Sequence, residues 1–407
     1  YDVNGNVWNG VTARPTDFFG AVLPGASQVF GGFRPENAVN EHRNSVAAYA
    51  DVEFNVTDWL LFDTAVRYEN YSDFGNTFNY KLASRVKLSN DLNFRFAGST
   101  GFRAPSMAQI YFNQTNTFFT NGALQEQGTF SNNSPLAQKL GIGTLKEETS
   151  KSASVGLTYK IPAARLTLTL DSYFVRIDDR IILTDTFNKP AAAGEVQTIY
   201  NDLGITGARF FANAIDTETK GLDFVAAHNL NRERFKLQST LALNISETKR
   251  VGGIHASQKL IDAGLQNSYF GESSKTLLES ATPKYKASLS HNLTLGKASV
   301  YLRNTLFGKV LDYNVVDVNG DGVINLSPDG IRNEHQTIDS KVVTDLSVAY
   351  QFTKAVGLTL GANNLFDVYP TRYVKPNTNN DQFVYARATT QFGQNGRYVF
   401  ARLNFNF

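Results

Sequence analysis

The chain has 407 residues, with Gly 31, Phe 30 and Tyr 18 against Met 1 and Cys 0, a formal net charge of +2 and 19% charged residues. Lack of cysteine excludes a disulfide scaffold and a thiolate metal site, and without a polybasic footprint or charge runs nucleic acid is not a partner. Nowhere do about 18 apolar residues run together, which excludes a transmembrane helix but leaves open a membrane barrel, whose strands need only about 10 alternating residues.

Residues 1–42 are rich in Gly, Pro, Asn and aromatics without sustained period and read as a long loop joining a strand further upstream; residues 43–407 read as one all-β body. Strict alternation begins with Val46, Ala48, Ala50, Val52, Phe54 and Val56 opposite Tyr49, Asp51, Glu53 and Asn55. Period two means a strand, and an apolar set opposed to charge means one dry and one wet face. Next, Leu60, Phe62 and Val66 oppose Asp63 and Arg67, then Tyr80 and Leu82 oppose Lys81 and Arg85, and Leu92, Phe94 and Phe96 oppose Asn93 and Arg95, a parity that puts Arg103 on the charged face. The pattern lapses from Ala104 to about Lys146. It returns at 150–161 and again from Leu166 to about Asp171, lapses to about Asn213, and resumes with Leu222, Phe224 and Ala226. Further strands follow at 235–245, 285–293, 300–306, 346–352 and 356–363, separated by lapses at 251–281, 314–341 and 368–395, before Val399, Ala401, Leu403, Phe405 and Phe407 alternate with Tyr398, Phe400, Arg402, Asn404 and Asn406 to the end.

About thirteen strands result, and two-to-five-residue turns alternate with long loops. A soluble sandwich has no reason to segregate loop length by strand parity. A barrel spanning an outer membrane does, with short periplasmic turns, long outer loops, a lipid-facing apolar band and a polar lumen. The expected class is thus an all-β transmembrane antiparallel barrel contacting membrane lipid and lipopolysaccharide, with the C-terminus in the periplasm. An odd strand count cannot close, so the chain is expected to be part of a larger barrel.

Gly101-Phe102-Arg103-Ala104-Pro105-Ser106, Thr144-Leu145-Lys146-Glu147-Glu148-Thr149-Ser150, Gly361-Ala362-Asn363-Asn364-Leu365-Phe366-Asp367 with Tyr369-Pro370, and Gly396-Arg397 leading to a terminal Phe resemble, in the same order, four segments of the TonB-dependent outer-membrane receptors. The resemblance implies the last strands of a barrel of about 22 around an N-terminal plug, with neither the plug nor the TonB-engaging segment in this sequence. It also implies import of a scarce nutrient, with a ferric siderophore as the leading cargo. The rivals are a carbohydrate or peptide importer working with a surface lipoprotein, and, from another class, a passive diffusion pore. Phe405 and Phe407 would form the signal read by the outer-membrane assembly machinery.

Two groups could touch a ligand. Arg103 lies below a loop holding Tyr111, Phe112, Phe118, Phe119 and Phe130, and the last long loop holds Tyr369, Arg372, Tyr373, Tyr385 and Arg387; cation and aromatic together suit an anionic chelate. The competing reading is structural, with Arg103 paired to a lumen carboxylate such as Glu69 or to the plug, and the loop aromatics acting as interfacial girdle residues. No cofactor is required, but Asp317, Asn319, Asp321, Val323 and Asn325 follow the spacing of a Ca2+ loop with Gly322 at the sharp turn, and Asp329 stands one place late for the bidentate ligand. A polar Gly-rich turn competes. The histidines at 42, 228, 255, 291 and 335 sit beside no Ser and Asp on one lumen patch, so no enzyme is expected, and none lies between 102 and 149, which lowers haem as a cargo.

Overall fold

A computed structural model describes residues 37–120, 123–191, 193–262, 264–312, 336–374, 378, 383–386 and 391–405. Strands β1 (Ser45–Thr57), β2 (Leu60–Tyr71), β3 (Gly75–Lys87) and β4 (Leu92–Arg103) form an antiparallel meander whose first three connections are short. The segment 104–147 follows, with helix α1 (Met107–Tyr111), the hairpin β5 (Gln114–Thr120) and β6 (Ala123–Phe130), and α2 (Pro135–Leu140). After β7 (Glu148–Ile161), a 3-10 turn at Pro162–Ala164 ends on Arg165 with φ 53 and leads into β8 (Leu166–Leu183). The short β9 (Phe187–Asn188) and α3 (Glu195–Leu203) precede β10 (Gly207–Asn231) and β11 (Lys236–Val251). Then come α4 (Gln258–Asp262), α5 (Gln266–Tyr269), α6 (Glu272–Glu279), β12 (Tyr285–Leu295), β13 (Ala298–Phe307), the small pair β14 (Val310–Asp312) and β15 (Gln336–Ile338), β16 (Lys341–Gln351), β17 (Val356–Asn363) and β18 (Tyr398–Phe405). The continuous ladder runs β1-β2-β3-β4-β7-β8-β10-β11-β12-β13-β16-β17-β18, all neighbours antiparallel, with β1 and β18 at its two ends.

The two faces of this ladder differ as the alternation predicts. Val46, Phe54, Leu157, Leu222, Leu241, Leu289, Val348, Leu360, Val399 and Leu403 all remain exposed, Val46 at 77% and Val399 at 70%. Apolar area of that extent across many adjacent strands is far beyond what a water-soluble monomer presents, and it suits lipid. The opposite face carries cross-strand ion pairs, among them Lys81–Asp63, Arg95–Asp171 and Arg303–Asp345. Short turns are closed by local chemistry: the Thr353 hydroxyl accepts the Ala355 and Val356 N–H groups, and the Ser89 hydroxyl those of Asp91 and Leu92. No helix among the described residues is long and apolar enough to cross a membrane.

The long segments depart from the loop expectation. β8 continues to Leu183 and β10 starts at Gly207, so much of the lapse at 172–213 is strand. The pattern is hard to read there because alanine takes most of the buried side while Phe211 and Ile215 fall on the other: Ala208, Phe210, Ala212, Ala214 and Ile215 are each at 2% exposure or less, and Arg209, Phe211 and Asn213 between them are half-buried. What covers them is a cap with its own core, in which Phe130, Leu136, Leu140, Phe187, Tyr200, Leu260, Tyr269 and Phe270 from segments 104–147, 184–206 and 252–284 pack on β10. Its helices have ordinary causes. Ser134 caps α2, Pro135 takes its first turn and Gly141 closes it at φ 75. Helix α3 buries the stripe Val196, Ile199 and Tyr200, at helical spacing, against that core. The hairpin is tied in by a parallel pairing of β6 with β10, Gly207 to Phe210 against Gln127 to Phe130.

Candidate functional site

Where β4 and β7 leave the wall, two of the family-like segments meet. Their register pairs Phe102 with Thr149 and Arg103 with Glu148. The Arg103 guanidinium donates through Nε (2.7 Å) and Nη2 (2.5 Å) to the Glu148 carboxylate, which also accepts the Ile181 backbone N–H of β8 at 2.6 Å. Glu148 is only 5% exposed, and a bidentate guanidinium plus an amide is the partner set a buried carboxylate needs. Glu69, the partner suggested from sequence, is engaged elsewhere, by Arg67 and by the Tyr71 hydroxyl at 2.7 Å. Beyond Arg103 the chain is held again: Arg43 donates to the Pro105 carbonyl at 2.9 Å and to Asp73, and lies over the Tyr71 and Phe74 rings. A capping box between Ser106 and Gln109 then starts α1.

The other two segments meet at the end of β17. Asp345 accepts Arg303 Nε (3.0 Å) and Nη2 (2.6 Å) on Oδ2, and the Asn364 N–H on Oδ1 at 2.9 Å. Asn364, at φ 52, closes a tight loop by exchanging side-chain hydrogen bonds with the Val368 N–H and carbonyl. Asp367 then accepts the Arg397 N–H at 2.8 Å. Gly396 has φ 70, and a Cβ there would fall 2.2 Å from Tyr369 Oη and 2.5 Å from Asp367 Oδ1, so glycine is required both for conformation and for space. The Asp367 carboxylate beside it holds the Tyr369 phenol above its usual range, and the Tyr369 ring stacks on Tyr385 at 5.8 Å and 8°.

Of the ligand candidates, Arg372 and Tyr385 are brought together by a backbone bridge next to Tyr369. Tyr373 is turned inward instead, 7% exposed in a small core with Val310, Ile338 and Ala386, its hydroxyl donating to Asp312 at 2.7 Å. Arg387 lies outside the described residues. Tyr111 ends α1, half-buried, and Phe112 at its C-cap is 40% exposed. Phe118 and Phe119 pair through their backbones with Gln125 and Leu124, their side chains lying outside what is described. All the Ca2+-loop candidates, Asp317 to Asp329, also lie outside it, as does Phe407; Phe405 ends β18 opposite Val356. Sequence reading missed Glu148, Asp345 and Asp367 as the acceptors. Only pairing strand against strand places them, although all but Asp345 lie within the family-like segments.

An antiparallel wall, apolar outside and charged inside, with ordered structure at one rim, is that of an outer-membrane β-barrel protein. A family model for TonB-dependent receptor-like β-barrels matches residues 1–365, and the chain belongs to that family. Solved structures with the same fold include the ferric enterobactin receptor PfeA of Pseudomonas aeruginosa in complex with enterobactin (TM-score 0.57, 14% identity, 90% of this chain and 46% of that one). The siderophore receptor PirA of Acinetobacter baumannii gives TM-score 0.57 and 15% identity over 90% of this chain and 46% of that one. FpvA of Pseudomonas aeruginosa, bound to heterologous pyoverdines, gives 0.51 and 14% over 90% and 38%. The chain thus spans less than half the length of each. Comparison with curated proteins by sequence gives no match.

Proposed function

We propose that this chain forms the C-terminal wall and cap of a receptor that imports a ferric siderophore across the outer membrane, energised by TonB through a segment of the whole receptor outside this sequence. The observation that carries the reading is the convergence of the four family-like segments, two by two, at the rim where the long segments gather: Arg103 with Glu148, and Asp367 with the Arg397 amide. These contacts fix the roots of the segments that a ligand would meet first. In this reading the wall face bearing Val399 and Leu403 lies against lipid and lipopolysaccharide, the short turns and the C-terminus face the periplasm, and Phe405 with Phe407 serves assembly. The stack of exposed Tyr369 on half-buried Tyr385, beside Arg372, is the patch that best suits an anionic, aromatic chelate.

The test is uptake of radio-iron presented on a panel of siderophores by cells carrying or lacking the receptor, with and without TonB, grown in iron-poor medium. Receptor- and TonB-dependent uptake is expected, together with induction under iron starvation. Uptake that persists without TonB would point to a passive pore. Absence of induction, with growth instead limited on a glycan or peptide, would point to the importer that works with a surface lipoprotein.

A further inference from the structure

Where the cap meets the wall, three metal-ligating side chains from three segments converge. Asp179 comes from β8, where the ladder is irregular and its φ is 57; Asp216 comes from β10; His255 comes from the start of segment 252–284. His255 Nδ1 lies 3.2 Å from Asp179 Oδ1, and Nε2 lies 3.4 Å from Asp216 Oδ1. Asp216 Oδ1 also accepts the Asp179 N–H at 3.0 Å, and the His255 N–H donates to the Ala214 carbonyl at 2.8 Å, so all three residues are placed by backbone. One ligand atom from each can be chosen such that all lie within 4.8 Å of one another.

We propose that Asp179, Asp216 and His255 bind one divalent first-row transition ion of the Zn2+ type, pinning segment 252–284 to the wall. Two ligands of one tetrahedral Zn2+, each about 2.0–2.1 Å from the ion, stand about 3.3 Å apart, the scale of the separations across the imidazole. Whichever ring nitrogen takes the ion, one aspartate oxygen already stands at about that separation from it, and the second aspartate completes the set from within 4.8 Å. A nitrogen ligand beside two carboxylates favours zinc-like ions over Ca2+ or Mg2+, which take oxygen alone. Local charge also calls for a cation. Arg176 meets Asp178 (2.7 Å), Glu218 (3.5 Å) and Asp216 (3.6 Å), and Lys220 meets Glu218 (3.2 Å), so with Asp179 four carboxylates face one guanidinium, one ammonium and one imidazole. The consequence of binding is mechanical: the same segment carries Leu260, Tyr269 and Phe270 into the cap core, so the ion would close the cap's third segment onto β8 and β10.

The test uses the full-length receptor in detergent, stripped with chelator and titrated with ZnCl2 by calorimetry, with Co2+ as an absorption probe. One Zn2+ per chain is expected, undisturbed by excess Ca2+, with Co2+ bands of a low-coordinate nitrogen–oxygen site. His255→Gln and Asp179→Asn should each weaken Zn2+ binding roughly tenfold or more. Zn2+ should also slow proteolysis within 252–284 in the parent but not in H255Q, whose intact heat-modifiable band would show that the barrel folds. Absence of stoichiometric Zn2+ binding, or equal affinity in the parent and both variants, overturns the proposal.

Discussion

The Arg103 guanidinium and the Glu148 carboxylate face each other across β4 and β7, and the two residues are unequally placed: Glu148 is nearly sealed from solvent while the Arg103 side chain is about half exposed. Removal of one should therefore not equal removal of the other. Glu148→Ala leaves the Ile181 N–H without its acceptor as well as the guanidinium, and should destabilise the folded barrel by about 2–3 kcal/mol. Arg103→Ala leaves the nearly sealed Glu148 carboxylate charged with a single amide partner and should cost more, about 3–5 kcal/mol. Heat-modifiability on gels across a temperature series measures both, and equal losses would contradict the geometry.

Gly396 holds Tyr369 in place by being small. Gly396→Ala combines left-handed strain of about 1–2 kcal/mol with displacement of the Tyr369 hydroxyl. Near-ultraviolet circular dichroism should lose the stacked tyrosine signal, and protease should cut 364–397 sooner, while β-sheet content stays unchanged.

Two cap tyrosines give the cap an alkaline limit. Burial pushes the Tyr269 phenol up to about 12 and raises that of Tyr200, whose hydroxyl donates to the Phe187 carbonyl at 2.8 Å. A phenol raised above its unfolded value of about 10 stabilises the fold fully below that pH, and the contribution is lost as pH rises toward 12. Proteolysis of the cap segments should thus accelerate between about pH 10 and 12, and Tyr200→Phe, which keeps the packing and loses the hydrogen bond, should cost about 0.5–1.5 kcal/mol.

Adjacent residues of β18 test the two faces directly. Leu403→Arg puts a charge on the lipid side three ladder positions from the turn at 353–355 and should cost about 1–2 kcal/mol, between the interface and midplane values, lowering the amount of assembled protein in outer-membrane fractions. Asn404→Arg, one residue on, places it beside Arg402 on the wet side and should assemble normally.

Much of the wall could be read directly because one dry face and one wet face force period two; β1, β12 and β13 begin and end close to where alternation does. The cap could not be read that way. Around Phe210 and Ile215 the buried side of β10 is mostly alanine while Phe211 and Ile215 sit on the other side, so apolar and polar residues do not separate cleanly. Its helices did leave a signal: Val196, Ile199, Tyr200 and Leu203 recur at helical spacing between Gly194 and Gly204, and Ser134-Pro135 with Gly141 mark the ends of α2. The rim contacts were half legible. Arg103 could be placed on the inner face, but Glu148 lies 45 residues away and becomes its neighbour only through the ladder. The Tyr373 side chain looked like its neighbours Arg372 and Tyr385 in sequence, yet Asp312 draws it inward, a long-range pairing no local pattern records.

β10 runs unbroken from the cap core at Ala208 to the opposite rim at Asn231, bonded on the way to β6, β9, β8 and β11. In mechanical terms it is a continuous stiff rod shared by two assemblies. A push on the cap travels along a hydrogen-bonded ladder instead of being dissipated in a tether, so the cap is built to move with the wall.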